Sequence, residues 1–260
     1  MARRMVGEPG NPTLGTFVKI PSLEVAEILA IAGFDFVVID TEHALLSVRD
    51  VYELVVGYSR MGVDPVVRIT DHGYGDAQRY LDAGAAGVLV PHVSNGDHAA
   101  AVMSALRFPP HGTRGMGYAA RAGQWGVLPG GVAEYVRVGE EEIVRVAMVE
   151  EAEAVESIDA ILATPGVDAV FIGPGDLSMS MGTTMADPEL QDAITGCIAK
   201  AVAEGVHVGT VVAGGDALTA RASQGCSFLL VGNDTGMITG AATKIVTDAR
   251  SALGGSAVAA

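Results

Sequence analysis

The chain has 260 residues, of which 49% are hydrophobic and 5% aromatic, enough to form the core of one large domain or two small ones. Its net charge of -15 argues against nucleic acids and anionic membranes as partners, because both attract Lys and Arg. The chain has two cysteines, Cys197 and Cys226, too few and too widely spaced for a disulfide framework or a cysteine-based zinc site. It lacks an apolar stretch long enough to span a membrane, and we expect a soluble cytoplasmic protein.

Strand-like runs alternate with helix-like stretches along the whole chain. The eight runs are residues 14–20, 34–40, 64–70, 86–93, 143–150, 167–173, 206–212 and 227–232. Most are continuous in Val, Ile and Leu, as expected for parallel strands covered on both faces. Helix starts are signalled by Ser22, Ser47 and Asp187-Pro188. Eight β-then-α units predict an α/β fold, a single (β/α)8 TIM barrel over residues 1–260, with an open doubly wound sheet as the alternative.

The connection between the fourth helix and the fifth strand, residues 108–142, is unusually long. Such connections in compact domains are commonly active-site lids, binding loops or mobile segments. Its "GMGYAA" neither follows a strand directly nor reaches the third glycine of a dinucleotide fingerprint. The segment is therefore predicted to be an insertion in the barrel and not a dinucleotide site.

Ionisable residues gather where the predicted strands end. In the stretch "DFVVIDTEHALLS", residues 35–47, an apolar run typical of a buried strand ends in two carboxylates and an imidazole before the chain becomes apolar again. The full set comprises Asp40, Glu42, His43, Arg68, His92, Glu150 and Asp176. Because barrel enzymes carry their chemistry at the carboxyl ends of the strands, all of these residues are predicted to lie on one rim.

Two acids of this set suit a divalent cation. Glu150 ends strand five and Asp176 follows strand six, and adjacent strands lie about 4.8 Å apart. Two carboxylates with water in the other positions favour Mg²⁺, Mn²⁺ or a similar oxygen-preferring ion. The alternative is that each acid only caps the helix that follows it.

Several motifs resemble the HpcH/HpaI aldolase family, metal-dependent class II aldolases that act on pyruvate and 4-hydroxy-2-oxo acids. They are "VVIDTEHA", "VVRI", "RGMG", "VEEAEAV" and "VDAVFIGPGDLSMSMG" within residues 14 to 250. The resemblance implies a modified barrel whose C-terminal helix is exchanged between subunits of a homohexamer. It also implies reversible cleavage of 4-hydroxy-2-oxo acids to pyruvate and an aldehyde, with Mg²⁺ or Mn²⁺ as the cofactor and Co²⁺ or Zn²⁺ as further candidates.

The resemblance assigns roles to the substrate-binding residues. It implies that Glu150 and Asp176 hold the metal and that Arg68 faces the keto oxygen of the substrate. The backbone of Gly173, Pro174 and Gly175 is implied to receive the substrate carboxylate. At a further substrate contact, Met148 stands where relatives often carry a glutamine, so the chain departs from the family pattern there.

The resemblance further implies that His43 is the catalytic base. Asp40 and Asp82 match acids that orient the base or raise its basicity, and in the family the second acid can come from a neighbouring subunit. Histidine suits this task because its ordinary pKa near 6.5 lets it accept and return a proton at neutral pH.

Each role has a structural alternative. His43 can be a loop histidine bound to the backbone, and Arg68 can form a purely structural ion pair with Asp40 or Glu42. His92 is predicted to be a packed core histidine rather than a substrate contact. Lys19 is the one lysine near a strand end, so a Schiff-base aldolase is disfavoured.

Two other functions remain open. An acyl-CoA lyase of the citrate lyase β type shares the barrel and the paired acids, but coenzyme A calls for a basic surface, which the chain shows only through Arg114 and Arg121. A barrel that binds ketoacids without turnover is the third hypothesis. It predicts pyruvate binding without exchange of the methyl protons.

Overall fold

The computed structural model of the protein describes residues 5–70 and 74–253. Its parallel strands follow one another around a closed barrel in chain order, and the last strand pairs with the first. They are β1 (Thr13–Val18), β2 (Phe36–Asp40), β3 (Asp64–Arg68), β4 (Gly87–Val90), β5 (Val144–Val149), β6 (Ala169–Ile172), β7 (His207–Val212) and β8 (Phe228–Asn233). The predicted (β/α)8 barrel is confirmed, and closure rules out the open sheet.

Helices surround the barrel. They are α1 (Leu23–Ala32), α2 (Val48–Met61), α3 (Tyr74–Asp82), α4 (Gly96–Leu106), α5 (Gly131–Glu141), α6 (Ala152–Glu156), α7 (Ile158–Leu162), α8 (Pro174–Ser180), α9 (Pro188–Ala203), α10 (Asp216–Ser223) and α11 (Asp234–Ala252). The predicted starts are confirmed: Ser22 caps α1, Ser47 forms a capping box with Asp50, and Pro188 opens α9. None of the helices in the described residues has the length and apolarity to span a bilayer.

The inside of the barrel is filled with apolar side chains. A cluster that includes Phe36, Met148, Phe171 and Phe228 occupies the interior, and a second, larger cluster lies between the strands and the helices. At Gly209 a β carbon would collide with the ring of Phe228. The barrel is therefore a packed core, and ligands have room only at its ends.

The long insertion lies at the amino-terminal end of the barrel. Helix α4 runs back from the carboxyl ends of the strands, so the chain from residue 107 to β5 must cross the opposite end. This segment contains a 3₁₀ helix, Arg121–Gly126, and α5. The insertion and the carboxyl rim are therefore at opposite ends of this barrel.

Both cysteines are free, as predicted, and both are buried. Burial raises the pKa of each thiol to about 11. Since the thiolate is the reactive form, neither Cys197 nor Cys226 is suited to nucleophilic or metal-binding chemistry.

Candidate active site

The carboxyl rim brings together side chains from five neighbouring strands. Parallel strands end at the same edge of the sheet, so Asp40, Arg68, His92, Glu150 and Asp176 all follow or close strands there. Pairing between strands also fixes which side chains meet. Asp40 and Arg68 are register partners in β2 and β3.

Arg68 is held by two carboxylates. Its Nε and Nη2 donate to the two oxygens of Asp40 at 3.0 and 2.7 Å, and Nη1 lies 3.0 Å from Glu42 Oε2. This Glu42 oxygen is buried and forms no aligned hydrogen bond. The guanidinium also packs over the ring of Phe17, 4.9 Å from its centroid. Arg68 is thus fixed in orientation, yet a guanidinium has five N–H donors, so donors on Nη1 and Nη2 remain for a substrate oxygen.

Asp40 is fully buried and remains ionised. Burial alone would raise the pKa of Asp40, but hydrogen bonds and charge from Arg68, an N–H from His43 and the charge of Lys19 lower it below its ordinary value. Lys19 Nζ lies 3.4 Å from Asp40 Oδ2. Lys19 therefore serves as a counter-charge to Asp40, which disfavours a Schiff base at this lysine.

We expect Asp40→Asn to lower the free energy of unfolding at pH 7 by about 3–5 kcal/mol, because it leaves the Arg68 charge buried without its main partner. The folded-state pKa of Asp40 lies below its ordinary value of 3.8. Its stabilisation is therefore fully present above that pH and is lost as the pH falls through the lower folded-state value. Urea unfolding of both proteins across this range should show the difference shrinking in acid, and a difference independent of pH would contradict the assignment.

His43 lies in the loop after β2 with its ring half-exposed. The side chain is 53% exposed, and Nε2 is 3.9 Å from Glu42 Oε2. Asp40 accepts the backbone N–H of His43 at 3.1 Å, while its oxygens are also bound by Arg68. The Asp40 carboxylate thus contacts the backbone of His43 and pairs with Arg68, whereas the carboxylate beside the His43 ring is that of Glu42.

His92 is not a packed core residue, so that prediction is wrong. Its side chain is 41% exposed and lies among three carboxylates. Nε2 is 3.2 Å from Glu42 Oε1, and Nδ1 is 3.1 Å from Glu151 Oε1 and 3.5 Å from Glu150 Oε1. Burial alone would lower the pKa of His92, but the charges of Glu150 and Glu42 and the hydrogen bond to Glu151 raise it above its ordinary value. Sequence alone could not reveal this role, since the residue follows an apolar strand.

Glu150 is the buried acid of the predicted metal pair. It is 1% exposed, and its Oε1 accepts the backbone N–H of His92 at 2.7 Å. The pKa of Glu150 lies above its ordinary value, mainly because the carboxylate is buried. The N–H and the charge of His92 lower the pKa, whereas the charges of Glu42 and Asp176 raise it. A β carbon at residue 173 would lie 3.0 Å from Glu150 Oε2. Gly173 therefore leaves space beside this oxygen.

These features fit a divalent cation. A cation between Glu150 and Asp176 would relieve their mutual repulsion, and a donor set made of carboxylate oxygens suits Mg²⁺ or Mn²⁺. Within residues 5–70 and 74–253, no group of three or more His, Cys, Asp or Glu side chains is arranged to hold a metal. A cation held by Glu150 and Asp176 would therefore take its other ligands from water or substrate.

The turn after β6 offers fewer donors than expected. The N–H of Gly173 donates to Val149 O at 3.1 Å, and Pro174 has no N–H. Among the three residues expected to receive a carboxylate, Gly175 therefore has the N–H that is left for it. A β carbon at Gly175 would meet nothing within 4 Å, so the close approach that requires glycine is at Gly173.

Met148 forms part of the floor beneath the rim. It is 2% exposed within the interior cluster, and its Cε lies 3.4 Å from the position of a β carbon at Gly173. A thioether cannot donate a hydrogen bond. The floor is therefore apolar where a glutamine would provide an amide.

Asp82 lies apart from these residues. It ends α3, which runs from the rim to the amino-terminal end of the barrel. There its Oδ1 accepts hydrogen bonds from Arg114 Nη2 and Tyr135 OH, both at 3.0 Å. Within this chain Asp82 is joined to the insertion and not to His43.

Comparison with known proteins finds one family over most of the chain. Residues 13–241 match the family model described as HpcH/HpaI aldolase/citrate lyase. A pyruvate aldolase from Rhizobium etli is 36% identical, covering 88% of this chain and 89% of the relative. A 2-dehydro-3,6-dideoxy-6-sulfogluconate aldolase from Pseudomonas putida is 33% identical, covering 90% and 91%. The solved structure of an HpcH/HpaI aldolase/citrate lyase family protein from Burkholderia cenocepacia J2315 is 30% identical, with a TM-score of 0.85 and coverage of 93% and 95%.

Proposed function

Since the chain belongs to the HpcH/HpaI aldolase/citrate lyase family, we propose that this carbon-carbon lyase carries out metal-dependent, reversible cleavage of 4-hydroxy-2-oxo acids to pyruvate and an aldehyde. The observation that carries the proposal is the buried carboxylate of Glu150, which lies beside Gly173 and within reach of the charge of Asp176. The pyruvate aldolase among the relatives supports the choice of pyruvate as the common product.

Glu150 and Asp176 would hold the cation, which supplies a Lewis acid for the keto oxygen when bound. Mg²⁺ and Mn²⁺ are the first choices, with Co²⁺ and Zn²⁺ as further candidates. The Gly175 N–H receives the substrate carboxylate. The cation and the Gly175 N–H thus hold the keto and carboxylate groups of the substrate. Met148, in the floor of the site, donates no hydrogen bond to them.

Cleavage breaks the C3–C4 bond and turns the C4 hydroxyl into an aldehyde. His43 takes the hydroxyl proton, and the bonding electrons move onto the keto oxygen of the pyruvate enolate. Arg68, fixed by Asp40 and Glu42, donates to that oxygen and stabilises the charge where it develops. The proton taken up by His43 is then returned to C3 of the enolate, which gives pyruvate.

Incubation with pyruvate and Mn²⁺ or Mg²⁺ in deuterated water tests this function. The enolate must form and revert, so the methyl group should become labelled with deuterium, as followed by proton NMR. A chelator should stop the labelling. Pyruvate binding without labelling would instead support the barrel that binds ketoacids without turnover.

The acyl-CoA lyase has less support. Arg114 is buried over the ring of Phe108, and Arg121 donates to the Ala83 carbonyl. Both arginines belong to the insertion, at the opposite end of the barrel from the rim. Coenzyme A bound at the rim would therefore meet neither of them within the same barrel.

We also propose a homo-oligomer, in the form of the hexamer with an exchanged C-terminal helix. Helices α1 and α11 carry exposed apolar side chains, among them Ile28 and Ile31 on α1 and Ile238 and Ile245 on α11. Contact between copies would cover these side chains. It would also allow Asp82, at the far end of its own barrel, to act beside His43 of another copy.

A further inference from the structure

Two further carboxylates, those of Glu42 and Glu151, lie close to Glu150, the buried acid of the proposed metal pair. Glu42, Glu150 and Glu151 all contact His92, and the charges of Glu42 and Asp176 both act on Glu150. Each carboxylate that bound the cation would remove a position needed by water or by the keto acid. Something must therefore keep the additional acids away from the metal.

His92 has an unusual backbone that places it between these acids. Its φ is +57°, a left-handed conformation that is uncommon for a residue with a β carbon. In this conformation its N–H donates to Glu150 Oε1 at 2.7 Å. The ring meanwhile reaches Glu42 through Nε2 and Glu151 through Nδ1, at 3.2 and 3.1 Å. One residue thus contacts three carboxylates from two other strands.

The three contacts differ in kind. The backbone N–H occupies one oxygen of Glu150 and leaves Oε2, beside Gly173, for a ligand. The ring engages the carboxylates of the two other acids at shorter distances, and its Nδ1 lies 3.5 Å from the Glu150 oxygen that the backbone N–H already binds. Glu42 is further turned toward Arg68, with Oε2 at 3.0 Å from Nη1.

We propose that His92 is a positioning residue that holds Glu42 and Glu151 outside the coordination sphere of the metal, so that Glu150 and Asp176 are its protein ligands. The inference rests on the proposed function. It adds that substrate chelation depends on a residue that does not itself touch the metal. His92 keeps coordination positions open by binding the acids that would otherwise fill them.

The test replaces His92 with Gly, which removes the ring and accepts a positive φ without strain. Without the ring, Glu42 or Glu151 is free to bind the cation. We expect Mn²⁺ to bind about tenfold more tightly, because the number of charged ligands sets the affinity of such sites. Pyruvate should bind the Mn²⁺-loaded variant about tenfold more weakly, because one chelating position is lost. Titration calorimetry at fixed pH measures both constants.

The number of water ligands on Mn²⁺ provides a direct readout. It is measured from the broadening of electron paramagnetic resonance lines by water labelled with oxygen-17. The count should fall by at least one in His92→Gly and should return when Glu42→Gln or Glu151→Gln is added. Loss of the His92 charge alone would leave the count unchanged, and an unchanged count in His92→Gly overturns the proposal.

Two comparisons keep the result interpretable. Asparagine tolerates the same backbone conformation, but its side chain is too short to bridge both acids. His92→Asn should therefore change the two binding constants and the water count in the same direction as His92→Gly. It replaces the Gly variant if that variant does not fold. Weaker binding of both Mn²⁺ and pyruvate would indicate a merely damaged site and would overturn the proposal. If the unmodified protein binds no Mn²⁺, the proposed metal centre itself fails; if it binds Mn²⁺ and labels pyruvate, only the role of His92 is in question.

Discussion

Glu150→Gln is expected to reduce metal-dependent deuterium labelling of pyruvate by a factor of about 10³ or more. The change keeps the shape of the side chain and the hydrogen bond from His92 N–H, but it removes the buried charge that would hold the cation. A Lewis-acid metal contributes several kcal/mol to stabilisation of the enolate, and each 1.36 kcal/mol is about a tenfold change in rate. Proton NMR of the methyl signal measures the loss.

Glu153→Gln is the matched control for this prediction. Glu153 lies on the same segment but is exposed, and it accepts a hydrogen bond from Asn95 at 2.9 Å instead of facing the rim. This variant should label pyruvate at the rate of the unmodified protein. Full activity of Glu150→Gln at low Mn²⁺ concentration would remove the basis of the proposed function.

His43→Ala is expected to slow aldol cleavage by about 10²- to 10⁴-fold, the usual contribution of a positioned general base. The ring is 53% exposed and is not one of the proposed metal ligands. The dissociation constant for Mn²⁺ should therefore stay within about twofold of the value for the unmodified protein. Pyruvate release from a 4-hydroxy-2-oxo acid gives the rate, and calorimetry gives the metal affinity.

His111→Ala controls for the loss of an exposed histidine. His111 lies in the insertion, at the opposite end of the barrel, where its N–H donates to the Phe108 carbonyl. Cleavage by this variant should be unchanged. If His43→Ala instead lost metal affinity as strongly as Glu150→Gln, the separation of base from metal ligands would be wrong.

The elements of the fold could be predicted because their signals are local. Apolar runs such as that ending in Asp40 report burial on both faces, and Ser47 with Asp50 forms a capping box within four residues. Counting the eight β-then-α units was enough to predict a barrel. The barrel in turn predicted that Glu150 and Asp176 lie at the same rim. The family motifs then named the chemistry.

The partners of each rim residue followed only from the closed barrel. Register between β2 and β3 joined Asp40 to Arg68 and left Glu42 beside the ring of His43. A left-handed backbone turned His92 from an expected core residue into a contact of three acids. The direction of α3 carried Asp82 to the other end. Sequence periodicity therefore determined which residues are buried and which strand each rim residue follows. Only the tertiary structure decided which charged side chains meet. Contacts between distant segments depend on strand register, helix direction and barrel closure, and no local sequence pattern encodes these.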